Sequence, residues 1–169
     1  MSGRLGIYSQ AAGGGIDLAS FKMTVDTTQA GSASNTMVIP FSTLGTYAAV
    51  ISWGDGNVSP AAAGNVSHTY STSGTYQISI SGTFGGIKFA NGGDKLKLTT
   101  VDQWGTNVFS EMASAFYGCS NFTGGFTDYP NLGTITSLSQ TFRACTLFNS
   151  SLSSWDVSNV ADFGIMFWQ

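Results

Sequence analysis

The sequence predicts a mainly β fold in which a β-sandwich is followed by a short segment of stacked repeats. Short alternating strand patterns, separated by turn signals, fill the first half of the chain. In the second half, a set of apolar positions recurs at a fixed spacing. Charged residues make up only 9% of the chain and there are 22 glycines, so uncharged polar residues must cover the surface. That composition is typical of proteins built from many short strands and turns.

Charge and hydropathy exclude several classes of protein. The chain has only six Lys and Arg residues and a net charge of −3. These residues form no basic patch in the sequence, so nucleic-acid binding is not expected. No apolar run has the length of a membrane span, and residues 1–15 lack the apolar core of a signal peptide. The composition favours an extracellular or virion setting over the cytosol.

The strand patterns begin at Phe21, where Phe21, Met23 and Val25 alternate with polar residues. Asp55-Gly56 supplies the residue pair that a tight hairpin turn requires. The predicted strands cover residues 21–25, 36–41, 47–54, 66–70, 76–80, 87–90 and 95–101. Residues 1–19 are rich in Gly and Ala and are either a disordered leader or a flexible arm that becomes ordered on a partner.

The second half of the chain contains an internal repeat. Four positions recur 26 residues later, and a third copy begins 25 residues after the second with Phe163 and Phe167. This period falls in the range of leucine-rich repeats. Helical spacing within a copy predicts that each unit opens with a short helix. The matched positions are Met112, Phe116, Cys119 and Phe122 in the first copy, and Leu138, Phe142, Cys145 and Phe148 in the second.

The stretch from Ile51 to Phe84 resembles the polycystic-kidney-disease (PKD) domain, an immunoglobulin-like β-sandwich. The matching pieces are Trp53-Gly54-Asp55-Gly56, His68-Thr69-Tyr70 and Gly74-Thr75-Tyr76. The resemblance implies that Trp53 is a buried anchor and that Asp55-Gly56 turns the chain. It also implies that His68 and Tyr70 fix the next corner by hydrogen bonds, with His68 bonded to the backbone.

The stretch from Phe142 to Phe167 resembles the repeats of the BspA-like leucine-rich-repeat surface proteins. The resemblance lies in the Cys, the Phe-Asn pair and the run Trp155-Asp156-Val157-Ser158-Asn159-Val160, which the first copy lacks. It implies an α/β solenoid on a cell or particle surface, with Asp156 and Asn159 satisfying backbone N–H groups. In this interpretation Phe163 to Trp168 either caps the array or opens a further repeat.

The candidate reactive residues favour structural roles. His68 is the single histidine, and no partners are spaced for a catalytic or metal-binding role. Asp55 is either a calcium ligand or a turn residue, and the lack of nearby acids favours the turn. Cys119 and Cys145 are within reach of a disulfide across stacked repeats, but buried free thiols are favoured. We therefore expect no catalytic, cofactor or metal site, and no enzyme activity.

The predicted organisation is an N-terminal arm over 1–19, a PKD-like sandwich over 20–101 and a leucine-rich-repeat segment over 102–169. Together these features predict a non-enzymatic structural or adhesive surface protein. The favoured assignment is a phage virion component, a capsid decoration or tail-fibre protein, because assembly in the cytoplasm and release by lysis require no export signal. The alternatives are a bacterial cell-surface adhesin and a carbohydrate-binding accessory module. Expected partners are other virion or surface proteins, a second copy of the chain, or a host receptor or glycan, with no nucleic acid and no membrane insertion.

Overall fold

The computed structural model describes residues 16–169, so the arm predicted at the N-terminus lies largely outside the described residues. Within the described residues the strands lie between residues 21 and 103, so they end near the start of the predicted repeat segment. One 3-10 helix precedes the last strand. The elements are β1 (Phe21–Asp26), β2 (Thr36–Phe41), β3 (Ala48–Ser52), β4 (Val58–Pro60), β5 (Gly64–Thr69), β6 (Thr75–Thr83), the 3-10 helix (Lys95–Lys97) and β7 (Leu98–Gln103).

The strands form two antiparallel sheets. The larger has the order β4-β3-β6-β1-β7, and the smaller pairs β2 with β5. Within the larger sheet Met23 lies opposite Ile78, and the period of two buries Phe21, Met23 and Val25 on one face. Met37 and Ile39 of the small sheet join the same hydrophobic core. The mainly β prediction with antiparallel sheets is therefore confirmed.

Two of the predicted strands differ from the structure. Residues 87–90 form only an isolated bridge between Ile87 and Phe41. The reason is that the N–H groups of Phe89 and Asn91 donate instead to carbonyls of the repeat segment, Ala115 and Tyr117. Residues 95–97 form the 3-10 helix, and the strand begins only at Leu98. The short edge strand β4 has no counterpart among the predictions.

After β7, within the described residues, the chain forms successive turns rather than helices or strands. The short helix expected over 138–145 is therefore wrong. Gln140 and Ala144 adopt φ values of 58° and 56°, which a right-handed helix does not permit. The α in the predicted α/β solenoid has no counterpart, and the leucine-rich-repeat class stays a prediction.

The turns nevertheless stack in register at the predicted period. We call residues 114–118 the first coil, 138–144 the second coil and 162–168 the terminal coil. The N–H groups of Ser114, Phe116 and Gly118 donate to carbonyls of residues 139, 141 and 143 in the second coil, at 2.8–3.0 Å. The second coil donates in the same way to the terminal coil, and the bridges that link Thr100 to Gly124 and Ser137 to Asp162 are parallel.

The stacked coils share one hydrophobic core with the sheets. The ring of Trp104, just after β7, contacts Phe21 of β1 at 5.9 Å, Phe109 at 5.7 Å and Trp155 of the repeat at 5.5 Å between centroids. Strand β7 also runs to Gln103, past the predicted boundary at residue 101. The division into two domains at that point stays a prediction.

Candidate binding surface

The residues of the PKD-like motif lie together at one corner of the sandwich. Trp53 is buried, and its indole Nε1–H donates to the Ser59 hydroxyl at 2.9 Å. The imidazole of His68 stacks on the Trp53 ring with centroids 4.9 Å apart. The Tyr70 hydroxyl donates to the Trp53 carbonyl at 3.0 Å, and Tyr76 stacks on Tyr70. The resemblance to the PKD domain implies such an association.

His68 bonds a carboxylate rather than the backbone, which corrects the expected partner. Its Nε2 lies 2.8 Å from Asp55 Oδ2. Asp55 also accepts the Asn57 N–H at 3.0 Å, and Gly56 takes φ 91°, so Asp55 serves the turn. Burial works to raise the pKa of Asp55, but the hydrogen bonds from His68 and Asn57 outweigh it and lower the pKa to about 2.

The matched repeat positions line the core between the coils. Met112, Phe122 and Leu138 are buried, and Phe148 packs on Phe142 with ring centroids 4.4 Å apart. Phe116, Phe142 and Phe167 form a stacked column with successive centroids 5.7 and 5.6 Å apart. The recurrence of phenylalanine in the sequence is thus a physical stack.

The two cysteines are free and buried. Burial raises the pKa of Cys119 well above its usual value and raises the pKa of Cys145 to about 12. The Cys145 thiol donates to the Phe116 carbonyl at 3.0 Å. Because the thiolate is the nucleophile, neither thiol is activated for covalent chemistry or metal binding.

The Trp-Asp-Val-Ser stretch runs from the core of the repeat to its surface. Trp155 is buried against Trp104, and its indole N–H has no hydrogen-bond partner among the described residues. Asp156 is exposed and accepts the Ser158 N–H at 3.0 Å, as expected for a residue that satisfies the backbone. Asn159 instead donates its side-chain amide to the Gly133 carbonyl at 3.0 Å, which links neighbouring repeats.

A buried ion pair escaped the sequence analysis. Lys97 Nζ lies 3.5 Å from Asp94 Oδ1, and both side chains are almost completely buried. Lys97 also donates to the carbonyls of Ala33 and Thr36, at 3.0 and 2.7 Å. The sequence-based prediction was a strand over residues 95–101 and no ion pair; the spacing Asp94-x-x-Lys97 was the available signal for the pair.

The terminal coil presents an exposed apolar surface, which we call the terminal face: Phe163, Ile165, Phe167 and Trp168. These side chains are 46%, 51%, 53% and 59% exposed, whereas Leu138 and Phe142, at the equivalent of Phe163 and Phe167, are buried. Arg143 lies between the rings of Tyr117 and Trp168, 4.7 and 4.5 Å from their centroids. The other ring face of Trp168 has no stacking partner among the described residues. The terminal face is the candidate binding surface.

In residues 16–169, no cluster of His, Cys, Asp and Glu could hold a metal ion. No helix in that range is long and apolar enough to span a membrane.

Comparison with known proteins places the repeats in a family. No curated protein and no solved structure matches the chain. A family model described as "Mycoplasma protein of unknown function, DUF285" matches residues 79–169, more than half of the chain. The match includes the whole repeat segment and is consistent with the resemblance to BspA-like surface repeats, whereas most of the PKD-like motif precedes it. The chain belongs to the DUF285 family.

Proposed function

We propose that this chain is a non-enzymatic structural and adhesive protein that acts at an extracellular or particle surface. The observation that carries the proposal is the terminal face, where four large apolar side chains stand exposed at the end of an ordered stack of coils. Contiguous exposed apolar residues of this kind mark interaction sites on soluble proteins. The family match over the repeats supports the same class of function.

The non-enzymatic part of the proposal is supported by what the reactive groups do. Asp55 and His68 bond each other at the sandwich corner, and the Cys145 thiol is bonded to a backbone carbonyl in the core. Asp94 and Lys97 are buried, and Lys97 bonds the Ala33 carbonyl of the loop before β2. These groups are therefore occupied in structural contacts.

Localisation tests the proposal directly. Antibodies against the full chain should label intact surfaces of the producing culture, as seen by immunogold electron microscopy without permeabilisation. Label on released particles supports a virion component, the more specific form of the proposal, and label on cells supports the adhesin. Label that appears only after permeabilisation contradicts a surface role.

If the chain is a virion component, one of its segments must attach it to the particle. We propose that residues 1–15 dock the chain on the particle. Residues 17–19 are better retained, because the carbonyl of Asp17 accepts the Gln103 amide at 3.1 Å and that of Ala19 accepts the Thr106 N–H at 3.0 Å. A variant without residues 1–15 should fold but should not enter particles. Normal incorporation of the variant would contradict docking by this segment.

A glycan-binding module is the second candidate, favoured by the exposed indole of Trp168, since aromatic rings stack on sugar faces. A glycan array probed with the full chain and with Trp168→Ser tests it. Binding that disappears in the variant supports this candidate, and an array without any signal contradicts it.

A further inference from the structure

The two sheets of the sandwich have four outer edges, and three of these edges are covered or short. Residues of the repeat segment lie along β7, where the Val101 N–H donates to the Gly124 carbonyl at 2.9 Å. The loop after β6 covers β2, because the Lys88 N–H donates to the Pro40 carbonyl at 2.7 Å. Strand β4 has only three residues and ends in Pro60. Natural proteins protect sheet edges in these ways, but within the described residues the edge of β5 is neither covered nor short.

The register of β5 with β2 shows which of its backbone groups are unpaired. Val38 uses its N–H and Pro40 its C=O in bonds to residues outside β5, which places these groups on the far side of β2. In an antiparallel pair, residues opposite each other both point inward or both point outward. Ser67 and Asn65, the register partners of Val38 and Pro40, therefore point away from β2, and Thr69 follows by alternation. Among the described residues, the N–H and C=O groups of these three residues have no partner, and we call them the β5 edge.

The side chains of β5 suit pairing with an identical strand. The strand reads Gly-Asn-Val-Ser-His-Thr and contains no Lys, Arg, Asp or Glu. Asn65, Ser67 and Thr69 have short, uncharged side chains and are exposed. The imidazole of His68 lies 2.8 Å from the Asp55 carboxylate, which balances a positive charge on the ring. Two copies of the β5 edge therefore meet without like charges facing each other, whereas a lysine-bearing edge would repel its copy.

We propose that two copies of this chain join antiparallel along the β5 edge, with a two-fold axis at Ser67. This register places Asn65 opposite the partner subunit's Thr69, and Ser67 opposite the partner subunit's Ser67. Each of these outward pairs exchanges two N–H···O=C bonds, which gives about six backbone hydrogen bonds across the junction. The two small sheets become one sheet with the strand order β2-β5-β5-β2. His68 lies opposite the partner subunit's Val66, so the two imidazoles do not meet.

The size of the contact sets the strength of the dimer. Strand β5 contributes six residues a side, fewer than the roughly 20–30 residues a side of a stable interface. We therefore expect a dissociation constant on the order of 0.1 mM. Such a contact operates where many copies are held close together, because a high local concentration compensates for weak affinity. The dimer does not depend on the proposed surface role, and measurements in solution test it independently of localisation.

The test uses the full chain, labelled with ¹⁵N, from about 10 µM to about 1 mM. We expect sedimentation to show a change from monomer to dimer over this range. Hydrogen exchange of the amides of Asn65, Ser67 and Thr69 should slow about fivefold as the dimer forms. The amides of Val66 and His68, which face β2, should exchange at the same rate throughout. A monomer at the highest concentration, or a dimer that leaves the three outward amides unprotected, would overturn the proposal.

Charge substitutions at the axis test the two-fold register. Ser67→Lys places two like charges opposite each other and should abolish the dimer, as should Ser67→Glu. An equimolar mixture of the two variants should restore it as a heterodimer. Thr69→Lys is the matched control, because its lysine lies opposite the partner subunit's Asn65 and should weaken the dimer far less. A mixture that stays monomeric, or lysine substitutions with equal effects at the two positions, would overturn the pairing centred on Ser67.

Two further variants separate this contact from others. A variant without residues 1–15 and the variant Phe167→Ser should both dimerise like the wild type, since neither changes β5. Loss of the dimer in the first variant would assign the contact to the N-terminal segment. Loss of the dimer in the second would assign it to the terminal face. Either result would overturn pairing through the β5 edge.

Discussion

At the scale of single residues, the buried indoles of Trp53 and Trp104 differ in their hydrogen bonding. Trp53 donates to Ser59, whereas the Trp104 N–H has no partner among the described residues. We expect a double-mutant cycle of Trp53→Phe with Ser59→Ala to give a coupling of about 0.5–1.5 kcal/mol in the free energy of unfolding. Urea denaturation measures it. The same cycle with Trp104→Phe is the control, and a similar coupling there would contradict the assignment.

Asp55 predicts how stability changes in acid. Its pKa in the folded state, about 2, is lower than in the unfolded chain, so its contribution is present above about pH 4 and is lost as the pH falls towards 2. We expect Asp55→Asn to remove about 1 kcal/mol at neutral pH, because partial exposure screens the pair. The variant should also lose less stability between pH 4 and pH 2, which urea unfolding at each pH measures. If the variant lost as much stability between pH 4 and pH 2 as the wild type, this role of Asp55 would be contradicted.

The residue scale also shows where sequence reasoning reaches its limit. Trp53, Asp55, His68 and Tyr70 were predictable as one corner because their spacing is that of a known motif. The partner of His68 was not, since a spacing does not tell which of two acceptors an imidazole meets. Phe163 and Phe167 were predictable as repeat positions, but their exposure depends on what lies beyond the terminal coil, which the repeat pattern alone does not specify.

At the scale of elements, the Asp94–Lys97 pair joins the 3-10 helix to the loop before β2. Asp94 accepts the Val38 N–H at 2.7 Å, and Lys97 donates to the Thr36 carbonyl. The pair therefore fixes the first residues of β2. Lys97→Met leaves a buried carboxylate without its cation, and we expect a loss of about 3–5 kcal/mol of unfolding free energy. Adding Asp94→Asn should recover part of this loss in urea denaturation. A double variant that is less stable than Lys97→Met would contradict the charge argument.

The coils provide a second test at this scale, because Ala144 occupies a left-handed conformation with φ 56°. Replacing it with Gly should relieve strain of about 1 kcal/mol and raise the melting temperature. Ala113 is similarly half-buried but does not have a positive φ, so Ala113→Gly should lower the melting temperature. If both substitutions destabilise equally, the left-handed geometry of the coil is wrong.

These left-handed residues also explain why the repeat period was predicted correctly while the predicted helix is absent. The recurrence of Phe116 and Phe142 depends on side-chain stacking, which the sequence displays directly. The conformation of Gln140 and Ala144 is set by hydrogen bonds between coils. Alanine and glutamine have high helix propensity, yet both adopt it here because the neighbouring coil supplies their hydrogen-bond partners, so tertiary context overrides propensity.

At the scale of the whole molecule, the aromatic core crosses the boundary that composition suggested. Phe109 of the repeat segment lies 6.3 Å from Phe21 and 5.7 Å from Phe84 of the sandwich between ring centroids. The change of sequence character near Trp104 was visible, but the packing of rings across it was not, since no local pattern records contacts between distant segments.

This shared core predicts that the sandwich and the coils unfold together. We expect a single thermal transition in which the calorimetric and van't Hoff enthalpies agree. Phe109→Ala, which removes a ring from the junction, should cost about 3–5 kcal/mol and lower the melting of sandwich and repeat signals equally in NMR. Phe163→Ala, at the exposed terminal face, should change stability far less. Two separate transitions, or a loss confined to the repeat signals, would mean that the coils fold as an independent unit and that the aromatic junction is a contact between domains.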